Sequence, residues 1–281
     1  MSTYVNNNGV LIPRDSYSIK AGNRGHLYGD GLFESIRAIN GKCINMENHI
    51  KRLLEGMAAI KMNIPSNFTP EFFEKEINSL LEQNNITQGG RVRLSVDRKA
   101  GGTFMPKDNG VDYFIEAMDH NDNAFKLNEV GWKVDEYQEM KKDITPLSIY
   151  KTKNSLIYIM AKINAKEKGL DDMLILNYRQ GIIETASSNL FVVSNGVLYT
   201  PGLDLGPLAG TMRMQIINIA IANNIKVYEC NISPQNLLVA DEVFLTNAIS
   251  GIIWVESYRT KQYFNYISKE LLGMLNNKYK V

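Results

Sequence analysis

The sequence predicts two packed domains of mixed helix and strand, an α+β/α/β arrangement with a small first domain and a larger second one. Three observations carry this. The chain has 281 residues, a length that suits one large domain or two smaller ones. Alternating apolar runs of strand type are interleaved with runs at helical spacing. The most polar short stretch before the second half, Asp119-His120-Asn121-Asp122-Asn123, sets a boundary between a small α+β domain at 1–120 and a larger domain at 121–281.

The elements follow in order. Thr3 to Val5 and Val10 to Ile12 flank Asn6-Asn7-Asn8-Gly9, a hairpin whose Asn-Gly end favours positive φ. Gly25-His26-Leu27-Tyr28-Gly29-Asp30-Gly31 permits a sharp backbone path into an apolar strand over Leu32 to Ile39. Ile50, Leu53, Leu54, Met57 and Ile60 predict an amphipathic helix over Glu47 to Met62. His49 and Arg52, three apart, share a face off that stripe. Thr69 as cap and Pro70 at the first turn open a second helix to Gln83. Val92, Leu94 and Val96 alternate with Arg91, Arg93, Ser95 and Asp97, a half-buried strand. Lys99 to Asn109 reads as a loop and Tyr113 to Met118 as another strand.

The second half opens with a strand near Gly131 to Glu136. A helix over Thr152 to Lys168 carries apolar Leu156, Ile159, Met160 and Ile163 and ends at Gly169. Met173 to Leu176, a Tyr178-to-Gly181 turn and a second strand lead to Glu184. Leu190 to Val193 and Val197 to Tyr199 form a hairpin about Asn195-Gly196. A helix over Met212 to Asn223, strands at Lys226 to Cys230 and Asp241 to Ala248, and a final helix over Gln262 to Lys278 complete the chain.

Composition narrows the function. Lys plus Arg number 31 against 30 Asp plus Glu, which leaves no basic footprint for nucleic acid and no acidic tail. No apolar run reaches the roughly 18 residues of a membrane helix. Met1-Ser2-Thr3-Tyr4-Val5-Asn6 lacks the basic start and apolar core of a signal peptide. Cys43 and Cys230 stand far apart, read as buried inert thiols, and fit a reduced, cytoplasmic setting. His26, His49 and His120 show no metal-ligand spacing.

The chemistry gathers between Tyr150 and Asn189, and there the chain resembles a known family. Tyr28-Gly29-Asp30-Gly31-Leu32-Phe33-Glu34, His49-Ile50-Lys51-Arg52-Leu53, Lys151-Thr152-Lys153-Asn154 and Glu184 through Asn189-Leu190-Phe191 stand in the order of the blocks of class IV, or fold-type IV, pyridoxal-phosphate enzymes. The helix start at Leu208 to Arg213 adds a fifth block. That family includes branched-chain aminotransferases, D-amino-acid aminotransferases and 4-amino-4-deoxychorismate lyase. The resemblance implies the D-amino-acid-aminotransferase-like fold, with a small α+β domain and a larger β-barrel-like domain carrying helices. It also implies a homodimer.

By resemblance, Lys151 holds pyridoxal 5′-phosphate as an internal aldimine and moves the proton between Cα and the cofactor. Lys153 is the local rival; Lys151 has the family's spacing to Asn154. Glu184 faces the pyridine nitrogen and keeps it protonated. Arg52 offers a forked guanidinium to the phosphate. Gly210, Thr211 and Met212 offer a helix start, and Asn247-Ala248 a further phosphate contact. Asn189 completes the cofactor set. Phe33, Arg91 and Arg93 are candidates for substrate, the arginines for its carboxylate.

Two departures keep the reaction open. Many aminotransferases of the family have threonine at the positions of Met212 and Ala248. Gly-x-Met-Arg and Asn247-Ala248 followed by Gly251-Ile252 are instead similar to the deoxychorismate lyases. The implied activity is amino-group transfer between a branched-chain-like or other small amino acid and a 2-oxo acid. The alternative is a lyase releasing pyruvate and 4-aminobenzoate. Both begin with removal of the Cα proton by Lys151.

Overall fold

A computed structural model describes residues 3–120 and 122–280. Met1 and Ser2, within the start that lacks signal-peptide features, and Asn121, inside the polar boundary stretch, lie outside the described residues. The chain forms two compact units. Residues 1–124 and Tyr150–Asn154 make the first, and Phe125–Ile149 with Ser155–Val281 the second. The sequence-based boundary at 120/121 differs from this by a few residues and places Lys151 in the other part.

The first unit is an antiparallel sheet backed by two helices. It comprises β1 (Tyr4–Asn7), β2 (Val10–Pro13), α1 (Arg24–Tyr28), β3 (Gly31–Ile39), β4 (Lys42–Cys43), α2 (Met46–Ala59), α3 (Pro70–Gln83), β5 (Gly90–Arg98) and β6 (Val111–Asp119). The strand order is β2-β1-β6-β5-β3-β4. Leu32, Ile36, Val92, Leu94, Val96 and Ile115 pack one face against Ile50, Leu53 and Met57 of α2 and Phe73, Ile77 and Leu80 of α3. That two-residue alternation leaves Phe33, Ser35 and Arg37 on the opposite face, in register with Ser95, Arg93 and Arg91. The Thr69 side chain accepts from the Phe72 N–H at 3.2 Å, as its position before Pro70 predicts.

Tyr150–Asn154 joins this unit as extended backbone. The Phe33 N–H donates to the Lys151 carbonyl at 3.0 Å, and the Lys153 N–H to that of Gly31 at 2.9 Å. The expected helix from Thr152 therefore starts only at Leu156, because Lys151 to Lys153 pair with β3 instead.

The second unit contains β7 (Trp132–Lys142), α4 (Leu156–Glu167), β8 (Asp172–Asn177), β9 (Ile182–Thr185), β10 (Asn189–Ser194), β11 (Val197–Pro201), α5 (Thr211–Ala222) and β12 (Val227–Cys230). It continues through α6 (Pro234–Val239), β13 (Glu242–Asn247), β14 (Gly251–Tyr258), β15 (Lys261–Gln262) and α7 (Tyr266–Tyr279). The path β10-β13-β14-β7-β8-β9 closes on itself where Glu184 of β9 meets Asn189 of β10, giving a barrel-like ring. Leu174, Leu190, Val192, Val243, Leu245, Ile253 and Val255 form its core. The sequence expectation passed over β14 and α6 and began the last helix at Gln262, which belongs to β15. Among the described residues, no helix is long and apolar enough to cross a membrane.

Helix α4 turns its pattern outward. Ala161 and Ala165 pack on Tyr137, Met173, Ile175 and Ile183. Leu156, Ile159, Met160 and Ile163 are exposed by 72, 51, 39 and 46%.

Candidate active site

The first unit buries three of the motif residues together. Glu34 stands on the core face of β3, where alternation calls for an apolar side chain. The α2 face carrying His49 and Arg52 meets it. Arg52 Nε donates to Glu34 Oε1 at 2.8 Å, Arg52 Nη2 donates to Oε2, and His49 Nδ1 lies 2.7 Å from Oε2. Burial pushes the Glu34 carboxyl up, but the Arg52 charge and His49 overcome it and hold the value at about 2. Burial lowers His49, against the pull of Glu34 and with the repulsion of Arg52 and Lys151. The imidazole is therefore neutral near pH 7, and Nδ1–H donates to the carboxylate. Arg52 is only 8% exposed, so it is no solvated surface charge.

On the sheet's other face, Phe33 gathers two cations. The Arg93 guanidinium lies 3.8 Å and the Lys151 Nζ 4.5 Å from its ring centroid. Arg93 is half-buried, whereas Arg91 is exposed two residues away. Of the two candidate arginines, the structure brings Arg93 to the Phe33 ring, which Lys151 also approaches. Lys153 is ion-paired with Asp97, which commits the rival lysine elsewhere. Gly29 accounts for part of the glycine-rich block. Its φ is +66°, and a Cβ there would fall 2.7 Å from Asn154 Oδ1.

The second unit assembles its own set. Glu184 is 3% exposed and accepts from three donors. Lys142 Nζ reaches Oε1 at 2.7 Å, the Tyr158 hydroxyl reaches Oε1 at 2.9 Å, and the Leu208 N–H reaches Oε2 at 2.8 Å. Burial, then the neighbouring Glu184, raise Tyr158 far above the usual phenol range, so it stays a donor. Asn189 sits opposite Glu184, and its Nδ2 donates to the Leu208 carbonyl at 2.8 Å. A Cβ on Gly210 would fall 1.8 Å from Asn189 Oδ1, so no side chain fits there. Gly210 caps α5, whose first residues Thr211 and Met212 are buried. Asn247 Oδ1 accepts from the Ile249 and Ser250 N–H groups at 3.0 and 2.8 Å, folding the turn that contains Ala248. Asn247 Nδ2 donates to Ser188 Oγ at 3.0 Å.

Sequence reasoning gave Glu34 no role and missed Lys142 and Tyr158. Glu34 was visible as an acidic residue at a core position of an alternating strand. Tyr158 lies on the helix after Lys151 and resembled any helical aromatic. Lys141-Lys142 has the look of a solvated pair, with no local signal of its contact.

The Amino-transferase class IV family model matches residues 31–258. A D-alanine aminotransferase of Listeria monocytogenes is 29% identical over 257 residues, covering 88% of this chain and 84% of that protein. An aminodeoxychorismate lyase of Vibrio harveyi is 25% identical over 240 residues, covering 83 and 85%. The crystal structure of the branched-chain aminotransferase from Thermoproteus uzoniensis with norvaline superposes with a TM-score of 0.89. At 23% identity over 98% of this chain and 94% of that one, it shares the fold.

The residues fit the cofactor of that family. An ionised carboxylate offers about four lone-pair positions. The three donors on Glu184 leave one, on Oε2, for a ring N–H. Gly210, with no side chain, lets Asn189 pack against the backbone that opens α5. With the family model spanning most of its length, the chain belongs to the class IV aminotransferases, enzymes that work with pyridoxal 5′-phosphate.

Proposed function

We propose that this protein transfers an amino group between a small amino acid and a 2-oxo acid. The observation that carries the reading is Glu184, a buried carboxylate with one acceptor position open for a ring nitrogen. When bound, pyridoxal phosphate supplies an electron sink that makes loss of the Cα proton feasible. Glu184 holds the proton on the ring nitrogen. Lys151 binds the cofactor and carries the proton to and from Cα. Arg52, Asn189, the α5 start at Gly210 to Met212 and the Asn247-Ala248 turn hold the cofactor, with backbone N–H groups standing in for hydroxyls that Met212 and Ala248 lack. Arg93, stacked on Phe33, receives the substrate carboxylate, and exposed Arg91 adds long-range attraction.

The protein acts as a homodimer in the cytoplasm. The exposed apolar stripe of α4 supports the first statement, and two cysteines without a disulfide the second. Met212 and Ala248 favour a second reading, aminodeoxychorismate lyase, because Gly-x-Met-Arg and Asn247-Ala248 followed by Gly251-Ile252 are similar to those lyases, whose reaction needs no 2-oxo acid.

The test is steady-state turnover with paired substrates. Amino-group transfer requires both an amino acid and a 2-oxo acid, and the Lys151→Ala protein loses at least about a thousandfold in rate. Pyruvate released from aminodeoxychorismate with no 2-oxo acid added, and no turnover of any pair, would establish the lyase instead.

A further inference from the structure

Lys142 has no assigned part in this chemistry, yet it is built into the Glu184 site. Its Nζ donates to Glu184 Oε1 at 2.7 Å and to the Ser148 carbonyl at 3.0 Å, and its side chain is 12% exposed. The backbone is bent to put it there. Tyr137 pairs with Ile175, but the next pairing is Lys142 with Asn177, so β7 carries extra residues against β8. Such bulges re-aim side chains and are common beside active sites. Past the strand end, Ser148 folds its loop back, its Oγ donating to the Asp143 carbonyl at 2.7 Å and accepting from the Thr145 N–H at 2.9 Å. Stability alone does not explain the arrangement. A buried ion pair loses much of its attraction to desolvation, and apolar side chains of similar volume commonly serve as well.

We propose that Lys142 is a positioning residue that sets the negative charge Glu184 presents to the cofactor's ring nitrogen. The groups around the carboxylate are Lys142 from β7, the neutral Tyr158 hydroxyl from α4 and the Leu208 N–H, with uncharged Ile175 and Asn189 opposite on β8 and β10. The ammonium is the charged donor of the set. It fixes Oε1 and turns the remaining Oε2 position outward. It also offsets the carboxylate's field, so the ring nitrogen meets a nearly neutral pair rather than a lone anion. Charge near that nitrogen tunes the cofactor's electronics. The inference rests on the reading of Glu184 given above.

The test uses Lys142→Met and Lys142→Arg, each as holoenzyme and as apoprotein. The first measurement is the pH midpoint of the bound cofactor's visible band, which reports the proton on its lysine linkage. Removing a nearby positive charge favours the protonated form, so K142M raises the midpoint by on the order of one pH unit, while K142R stays close to wild type. The second measurement is the thermal midpoint of both forms. K142M loses more in the apoprotein than in the holoenzyme, where the protonated ring replaces the missing cation. Should K142M not fold, K142Q keeps a donor without the charge and must move the visible midpoint the same way. An unmoved midpoint with equal stability losses in both forms marks a structural contact and overturns the inference alone. A wild-type protein that takes up no chromophore overturns the reading of Glu184 with it.

Discussion

Glu34 is where the first unit balances its charges. The carboxylate is fully buried, and Arg52 and His49 make that tolerable. Its ordinary value is 4.5, and folding holds it at about 2. A depressed carboxyl contributes stability that is full above the unfolded value and is lost as pH falls through the folded one. The difference amounts to on the order of 3 kcal/mol. Glu34→Gln cannot titrate and leaves Arg52 buried without its carboxylate, which costs roughly 3–5 kcal/mol near neutrality. In urea unfolding at a series of pH values, the gap between wild type and E34Q shrinks between pH 4.5 and 2. A gap that stays constant across that window would show that the pair does not set the carboxyl's value. At this scale the sequence was informative where spacing mattered. His49 and Arg52 fall three apart, so a shared face was visible. Their partner was not, because the meeting of β3 with α2 is decided by packing. Lys142 shows the same limit more sharply, since only the bulge in β7 carries it to Glu184.

Among the elements, α3 and β5 lie where their periodicity puts them, since cap, first-turn proline and alternation act within a few residues. Other elements answer to distant partners. The stretch from Lys151 to Lys153 has helical neighbours but takes extended backbone because β3 offers hydrogen bonds. Helix α4 has a clear apolar stripe, and periodicity cannot say what that stripe faces. Its small side, Ala161 and Ala165, packs on the sheet, leaving Leu156, Ile159, Met160 and Ile163 exposed. Water is a poor neighbour for four large apolar groups in a row, and a second copy of the chain is the proposed cover. Replacing Ile159 and Ile163 together with glutamate leaves the fold intact, because neither is buried. The same change converts dimer to monomer when mass is measured by light scattering at micromolar concentration. A dimer that survives it places the interface elsewhere.

For the whole molecule, interleaved strand and helix periodicity and the ordered motif blocks carried the fold class, and the barrel-like ring of the second unit answers to it. The division of labour was less legible. Lys151 groups with the first unit and Glu184 with the second, although a single stretch of sequence holds both. Substrate choice is the least legible of all, since it depends on which side chains line the site once substrate is bound. In the proposed reaction the outcome turns on the fate of one proton after Lys151 removes it. The measurement that addresses this most directly is a half-reaction. Single L- and D-amino acids are added to the purified protein loaded with pyridoxal phosphate, with no 2-oxo acid present, and the visible spectrum is followed. Amino-group transfer predicts that the band bleaches with at least one amino acid and that its 2-oxo acid appears in amounts matching the enzyme. A band that persists across the whole panel, while aminodeoxychorismate yields pyruvate catalytically, would contradict it.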